Sequence, residues 1–259
     1  MKLVRFETEA GKVHQGRLEE GEILEISGDI LSDYNVSEKS HSLDEVQLLA
    51  PVFPPNIIAI GLNYFGHAEE LGSSIPDEPL MFMKATSSIL PPEKPIELPA
   101  AAPKKVDYEA ELGIVIGEKT SDVQPENAGK AILGFTCVND VTARDCQEDD
   151  GQWIRAKSFD TFCPAGPWIE TELEEGGSEI RSYVNGEIRQ QSNTKDMIFD
   201  PEQLVSYCSK MMTLLPGTLI LTGTPAGVGK SFSPPRYLKS GDEVKIEIEG
   251  LGQLVNSVR

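Results

Sequence analysis

Cysteine and histidine are scarce in this chain of 259 residues, which contains four cysteines and three histidines. The cysteines form no C-x-x-C pair, and nothing in the spacing of Cys and His indicates a zinc site. Their wide spacing instead predicts reduced, mostly buried thiols. These four residues are Cys137, Cys146, Cys163 and Cys208.

Long apolar runs are also lacking. No segment approaches the roughly 20 apolar residues that a membrane-spanning helix needs. The N-terminal stretch MKLVRFETEAGK has no apolar core of the kind found in signal peptides. We therefore expect a cytoplasmic protein that has no membrane partner.

Positive charge is the third scarcity, because 23 Lys and Arg residues face 42 Asp and Glu residues, for a net charge of −19. Such a surface repels phosphate backbones and anionic lipid, so we expect no nucleic-acid partner. The composition is 39% hydrophobic and 25% charged, which excludes disordered and coiled-coil classes. Because acids are abundant throughout the chain, an acidic cluster by itself is weak support for a site.

Short β-like pieces separated by turns fill residues 1–50, and the proline-rich sequence LAPVFPP follows them. This pattern predicts a small N-terminal β-rich domain over residues 1–50 and a second domain over residues 51–259. The second domain begins with a strand IIAIG and a short helix in NYFGHAEELG. Five prolines between Pro91 and Pro103 predict a surface loop.

The remaining chain is dominated by β-branched, alternating segments such as ELGIVIG, ILGFTCVND and EVKIEIEG. Asn185-Gly186 lies between two such runs and predicts a hairpin with a type I′ turn. One amphipathic helix is predicted from Pro201 onward. The fold class is a β-dominated α+β protein rather than a strict βα alternation.

Three acids follow one another at alternate positions, Asp107, Glu109 and Glu111, at the start of an apolar run. On a continuous strand their side chains would share one face. Asp140 ends another apolar strand. Carboxylates without His or Cys favour a hard ion such as Mg²⁺, Mn²⁺ or Ca²⁺. The alternative is a solvated acidic strand face.

His67 precedes Glu70 by three residues in the predicted short helix, so the carboxylate can orient the imidazole for general-base chemistry. A surface ion pair is the simpler interpretation. Lys157 lies between Trp153 and Phe159 and is either a partly desolvated site lysine or a surface lysine.

The segment from Thr224 to Ser231 resembles a phosphate-binding P-loop, but Thr224 replaces the first glycine. A P-loop lysine opens a helix, whereas Pro234 and Pro235 follow Lys230 closely. A nucleotide-binding protein is therefore the disfavoured alternative. Sharp turning or close approach of backbone to a ligand explains these glycines better.

Eight segments, in order, resemble the fumarylacetoacetate hydrolase superfamily, in its branch of 2-hydroxyhepta-2,4-diene-1,7-dioate isomerase-like and acylpyruvate hydrolase proteins. The resemblance implies a mixed β-sandwich roll that usually forms a homodimer, with a small N-terminal β domain. The segments are GLNYFGHAEE, FMKATSS, VDYEAELGIVIG, NDVTARDCQ, QWIRAKSFDTFCPAGPW, VNGEIRQ, PGTLILTGTPAGVG and GLGQLVNSV.

The same resemblance implies three groups of site residues. The implied ligands for Mg²⁺ or Mn²⁺ are Glu109, Glu111 and Asp140. The implied catalytic residues are His67, Glu70 and Lys157. The implied substrate contacts are Lys84, Gln147 and Thr224.

The function implied is that of a divalent-metal-dependent enzyme acting on small anionic 2-oxo acids through a stabilised enolate. Hydrolysis of a C–C bond is the first prediction. Isomerisation or tautomerisation, and decarboxylation of oxaloacetate, are alternatives that share the same electrophilic groups. A non-catalytic scaffold that is stabilised by metal is a further alternative.

Overall fold

The computed structural model describes residues 1–102, 104–173 and 176–259. Pro103, the last residue of the predicted surface loop, lies outside the described residues. The described strands are β1 (Lys2–Glu7), β2 (Val13–Glu19), β3 (Glu22–Gly28), β4 (Tyr34–Ser42), β5 (Gln47–Leu48), β6 (Ile57–Gly61), β7 (Leu80–Lys84), β8 (Ile89–Leu90), β9 (Val106–Asp107), β10 (Ala110–Ile116), β11 (Ile132–Asn139), β12 (Thr142–Ala143), β13 (Cys163–Glu170), β14 (Glu179–Val184), β15 (Glu187–Asn193), β16 (Leu219–Leu221), β17 (Glu243–Ile248) and β18 (Gly252–Ser257). The described α-helices are α1 (Phe65–Glu70), α2 (Pro125–Ala128), α3 (Arg144–Asp149), α4 (Ile154–Lys157) and α5 (Pro201–Met211).

One large mixed sheet runs in the order β4-β3-β2-β1-β13-β11-β10-β16-β6-β7, with β5 beside β1 and β8 beside β13. The pairs β16–β6 and β13–β8 are parallel, and the other pairs of this sheet are antiparallel. A second sheet has the order β15-β14-β17-β18, and β9 pairs with β12. The β-dominated mixed fold predicted from the sequence is confirmed.

β10 lies at the centre of the large sheet, and all seven of its residues are buried. Its Leu112 packs in one core with Ile246 and Leu254 of the second sheet. Its Ile114 packs in another core with Leu204 of α5. The strand was predicted from ELGIVIG as an alternating segment, but burial on both sides makes it a nearly continuous apolar run.

The N-terminal strands extend the large sheet, because Leu3 of β1 pairs with Ile169 of β13. They also have a small core of their own, which includes Phe6 and Ile23. The division of the chain at residue 50 stays a prediction.

Locally encoded elements follow the sequence closely. Asn185 and Gly186 have φ values of +53° and +78°, as a type I′ turn requires. α5 begins with a capping box in which Asp200 and Gln203 exchange hydrogen bonds. All four cysteines are free and buried. None of the described helices is both long and apolar enough to span a membrane.

Candidate active site

The predicted strand that carries the three alternating acids is interrupted. β9 ends at Asp107 and β10 begins at Ala110, so Glu109 lies in the break between them. The Asn139 side chain accepts the backbone N–H of Glu109 at 3.0 Å, in place of a regular ladder partner. The expectation that all three acids share one strand face is therefore wrong. Asp107 is directed elsewhere, because its carboxylate accepts the backbone N–H of Gly229 at 2.7 Å.

Glu109, Glu111 and Asp140 nevertheless form one buried group, with candidate ligand oxygens within 4.8 Å of one another. Glu111 extends from β10, and Asp140 follows the last residue of β11. A donor set made only of carboxylate oxygens suits a hard divalent cation. The residues present therefore fit the ion that the sequence predicts.

Two buried lysines lie against this group. Lys84 Nζ donates to Asp140 at 2.5 Å, and its side chain is fully buried. Lys157 Nζ donates to Glu109 at 2.8 Å and to Asp140 at 2.6 Å. Burial lowers the pKa of Lys157, but Asp140 and Glu109 outweigh that effect and raise it. Lys157 is therefore a fixed cation at neutral pH.

Arg144 is a third buried cation, which the sequence analysis did not select. Its guanidinium donates to Asp107 at 2.8 Å, to Glu109 at 2.6 Å and to the side-chain oxygen of Gln147 at 2.9 Å. Burial raises the pKa of Glu109, but Lys157 and Arg144 outweigh it and hold that pKa well below its usual range. The only signal in the sequence was the i, i+3 spacing of Arg144 and Gln147 in the motif NDVTARDCQ.

Glu111 has no cationic partner within 4.0 Å among the residues that the structure describes. Its carboxylate accepts the backbone N–H of Gly223 at 2.7 Å. Burial, followed by the charges of Asp140 and Glu109, raises the pKa of Glu111 well above its usual value. The site therefore has one more acid than cations, and Glu111 is the acid without a cationic partner among the described residues. The acids are Asp107, Glu109, Glu111 and Asp140, and the cations are Lys84, Arg144 and Lys157. A bound cation would supply the missing charge.

His67 and Glu70 form a hydrogen-bonded pair on α1, with Nδ1 and a carboxylate oxygen 3.0 Å apart. The other carboxylate oxygen accepts the backbone N–H of Gly227 at 2.8 Å. Burial raises the pKa of Glu70, but these hydrogen bonds outweigh it and lower the pKa overall. An ionised carboxylate only accepts, so Nδ1 carries the proton that bonds to Glu70, and Nε2 is the ring nitrogen that does not contact Glu70.

A cavity of about 460 Å³ joins these groups. Six of the nine predicted site residues line it, namely His67, Glu109, Glu111, Gln147, Lys157 and Thr224. The other three, Glu70, Asp140 and Lys84, each bond to another residue of the predicted set. Arg144 and Lys230 are further basic residues that line the cavity. The catalytic and substrate-binding roles assigned to the nine residues stay predictions.

Comparison with known families identifies the chain. A family profile described as "Fumarylacetoacetate (FAA) hydrolase C-terminal" matches residues 56–259. The chain belongs to this family. The family predicted from the motifs is therefore confirmed. A second profile, described as "Rv2993c-like, N-terminal", matches residues 1–51.

Relatives within the fumarylacetoacetate hydrolase family carry names of several reaction types. Oxaloacetate tautomerase Fahd2a, mitochondrial, from Rattus norvegicus is 44% identical over 83% of this chain and 70% of its own length. A crystal structure of 5-carboxymethyl-2-hydroxymuconate delta-isomerase from Mycobacterium smegmatis is 43% identical, with a TM-score of 0.91, over 100% of this chain and 99% of its own. Fumarylacetoacetate hydrolase (EaFAH) from Exiguobacterium antarcticum is 40% identical, with a TM-score of 0.91, over the same shares. This chain is an enzyme of the same family.

Proposed function

We propose that this enzyme catalyses the keto–enol tautomerisation of a 2-oxo acid of the oxaloacetate type and depends on a divalent metal ion. The main support for this proposal is a single cavity that brings together a histidine, a lysine and two acids of the buried carboxylate group. These residues are His67, Lys157, Glu109 and Glu111. Names of relatives at 43–44% identity support tautomerisation or isomerisation. Hydrolysis of a C–C bond, predicted first from the sequence, has weaker support.

Glu109, Glu111 and Asp140 would hold the ion. When bound, Mg²⁺ or Mn²⁺ would supply Lewis-acid stabilisation of negative charge on the 2-oxo oxygen. Without an ion, four carboxyl groups of the site meet only three cations, and the raised pKa of Glu111 reflects the missing positive charge. The site therefore favours a cation first, and an anionic substrate only after that charge is supplied.

His67 moves the proton in this proposal. Its Nε2 lone pair takes a proton from C3 of the keto acid and returns it to the 2-oxo oxygen, which leaves the enol. The ionised Glu70 stabilises the imidazolium that exists between these two transfers. Lys157 does not move a proton, because its raised pKa keeps it an ammonium that stabilises negative charge.

To test this, the enzyme is incubated with oxaloacetate and Mg²⁺. Enol absorbance measures the rate of enol–keto exchange, and proton NMR identifies the products. We expect faster enol–keto exchange than in buffer with Mg²⁺, with oxaloacetate left whole. We expect that rate to be lost in His67→Asn and kept in His14→Asn, a histidine of the N-terminal strands. Accumulation of pyruvate would indicate a decarboxylase, and acetate plus pyruvate from acetylpyruvate would indicate a C–C hydrolase. No acceleration of any of these reactions would overturn the proposal.

The nucleotide-binding alternative has little structural support. Thr224 is followed by a single 3₁₀ turn over Gly229–Ser231 rather than by a helix whose N-terminus could face phosphates. Lys230 instead lines the cavity described above.

We also propose that the enzyme is a homodimer, as the resemblance implies. Leu80 and Ile154 are 46% and 48% exposed and lie beside one apolar depression, as residues at an interface between subunits would. Light scattering should give a mass of twice 28.3 kDa. A mass of one chain would contradict this proposal.

A further inference from the structure

Lys230 differs from the other basic residues that line the cavity. Lys157 and Arg144 are each held by two carboxylates. Lys230 lines the same cavity, yet among the described residues no carboxylate lies within 4.0 Å of its Nζ. Its charge is therefore available to a ligand in the cavity.

The backbone at Lys230 is held firmly, even though its side chain has no hydrogen-bond or ion-pair partner among the described residues. The N–H groups of Gly229 and Lys230 donate to the Asp107 carboxylate at 2.7 and 3.1 Å. Asp107 is itself bonded to Arg144, whose guanidinium also reaches Glu109. This chain of bonds ties the position of Lys230 to that of the carboxylate group.

We propose that Lys230 binds the second carboxylate of a dicarboxylic 2-oxo acid and thereby selects dicarboxylates over monocarboxylates. This inference rests on the proposed function, because it takes the 2-oxo end of the substrate to lie at the buried carboxylate group. An ammonium that is half-buried without a partner is costly, and a carboxylate ligand would relieve that cost. Consistent with this, burial and the nearby Arg144 lower the pKa of Lys230.

A matched pair of ligands tests the proposal without the proposed reaction, and proton NMR of the calorimetry samples confirms that neither ligand is consumed. Dimethyloxaloacetate and trimethylpyruvate cannot enolise, and they differ only where a carboxylate replaces a methyl group. Calorimetry with the Mg²⁺-loaded enzyme should show that Lys230→Met weakens binding of dimethyloxaloacetate by roughly tenfold to hundredfold. Binding of trimethylpyruvate should stay within about twofold, since a uniform effect would reflect the fold rather than a contact. Lys230→Arg should restore most of the dicarboxylate affinity.

Lys239→Met is the matched control, because Lys239 is exposed and its loss changes the net charge equally. We expect its affinities for both ligands to equal those of the wild type. Equal weakening of both ligands in Lys230→Met, or no change in either, would overturn the proposal. The melting temperature of Lys230→Met should be no lower than that of the wild type, because the variant loses a costly half-buried charge. A lower melting temperature would indicate a disturbed fold rather than a lost contact.

The two proposals can fail separately. If the enzyme shows the Lys230-dependent preference but does not exchange oxaloacetate enol, the proposed reaction fails and the carboxylate contact stands. If it exchanges the enol and Lys230→Met leaves the KM for oxaloacetate unchanged, the reaction stands and the contact fails. When both hold, Lys230→Met raises that KM and leaves kcat within about twofold.

Discussion

Glu109 has three simultaneous contacts, because it belongs to the carboxylate group and also bonds to Lys157 and Arg144. Lys157 and Arg144 are buried, so they depend on Glu109 for compensation of their charges. Removing its charge therefore affects metal affinity and the balance of the whole site together. The proposed metal ligand Glu109 is therefore also the side chain that compensates the charges of two buried cations.

We predict that Glu109→Gln loses metal binding and activity. The loss of Mn²⁺ affinity should exceed the roughly tenfold to hundredfold that removing a supporting partner costs. Electron paramagnetic resonance of free Mn²⁺ measures binding, and enol exchange measures activity. Glu118→Gln, at an exposed position shortly after β10, should match the wild type in both. Full turnover in Glu109→Gln would show that the ligand assignment is wrong.

The lowered pKa of Glu70 predicts how the stability of the folded enzyme depends on pH. Its pKa in the folded enzyme lies below the usual value of 4.5, so the ionised form is favoured by folding. The stabilisation is complete above the unfolded pKa and is lost as pH falls through the lower folded pKa. The difference in unfolding free energy between wild type and Glu70→Gln should shrink as the pH falls from about 5 through the lowered pKa of Glu70. Urea denaturation measures this difference in unfolding free energy. A difference that grows in acid would contradict a lowered pKa of Glu70.

At the scale of elements, the break between β9 and β10 gives the acids on its two sides different roles. Glu111 belongs to the carboxylate group, whereas Asp107 supports the loop at Gly229. Asp107 is not part of the carboxylate group, because its carboxylate accepts a backbone N–H of that loop. Gly229 allows this approach, since a Cβ there would lie 2.5 Å from Asp107 Oδ1 and 2.4 Å from the carbonyl oxygen of Arg236. No alternation rule could anticipate the break, because the loop is 122 residues away in the chain.

We predict that Gly229→Ala is destabilised by about 1–3 kcal/mol, the usual cost of forcing an extra methyl into a packed position. It should also raise the KM for oxaloacetate, because Lys230 and Asp107 would shift together. Gly129→Ala is the control, since its nearest contact would be an ordinary 3.7 Å to Glu202. Urea denaturation and enol exchange measure the two effects, and equal behaviour of the two variants would refute the packing argument.

The elements that the sequence predicted well are those whose determinants are local. The Asn185-Gly186 hairpin needs only two residues that adopt positive φ between two alternating runs. Helix α5 needs its cap at Asp200, a proline in its first turn and one apolar face. The determinants of each element lie within about a dozen consecutive residues.

At the scale of the molecule, the site is assembled from strands that are distant in sequence, and metal binding should be linked to global stability. We predict that excess Mg²⁺ raises the melting temperature and that oxalate, a chelating analogue of a 2-oxo acid, raises it further. A ligand at about 100 times its Kd contributes roughly 2.7 kcal/mol. Differential scanning calorimetry checks this. A shift with Mg²⁺ but none with added oxalate would favour the non-catalytic scaffold.

The sequence by itself determined the family, the β-dominated fold and the candidate carboxylates, because strand periodicity, turn residues and ordered motifs are local properties of the chain. Only the tertiary structure decided which charges meet. The sequence did not select Arg144 and gave Lys84 only as an implied substrate contact. Their bonds to Asp107 and Asp140 arise from pairing across separations of 37 and 56 residues. Charge compensation acts through space, so it becomes visible only when the sheets have brought those strands together.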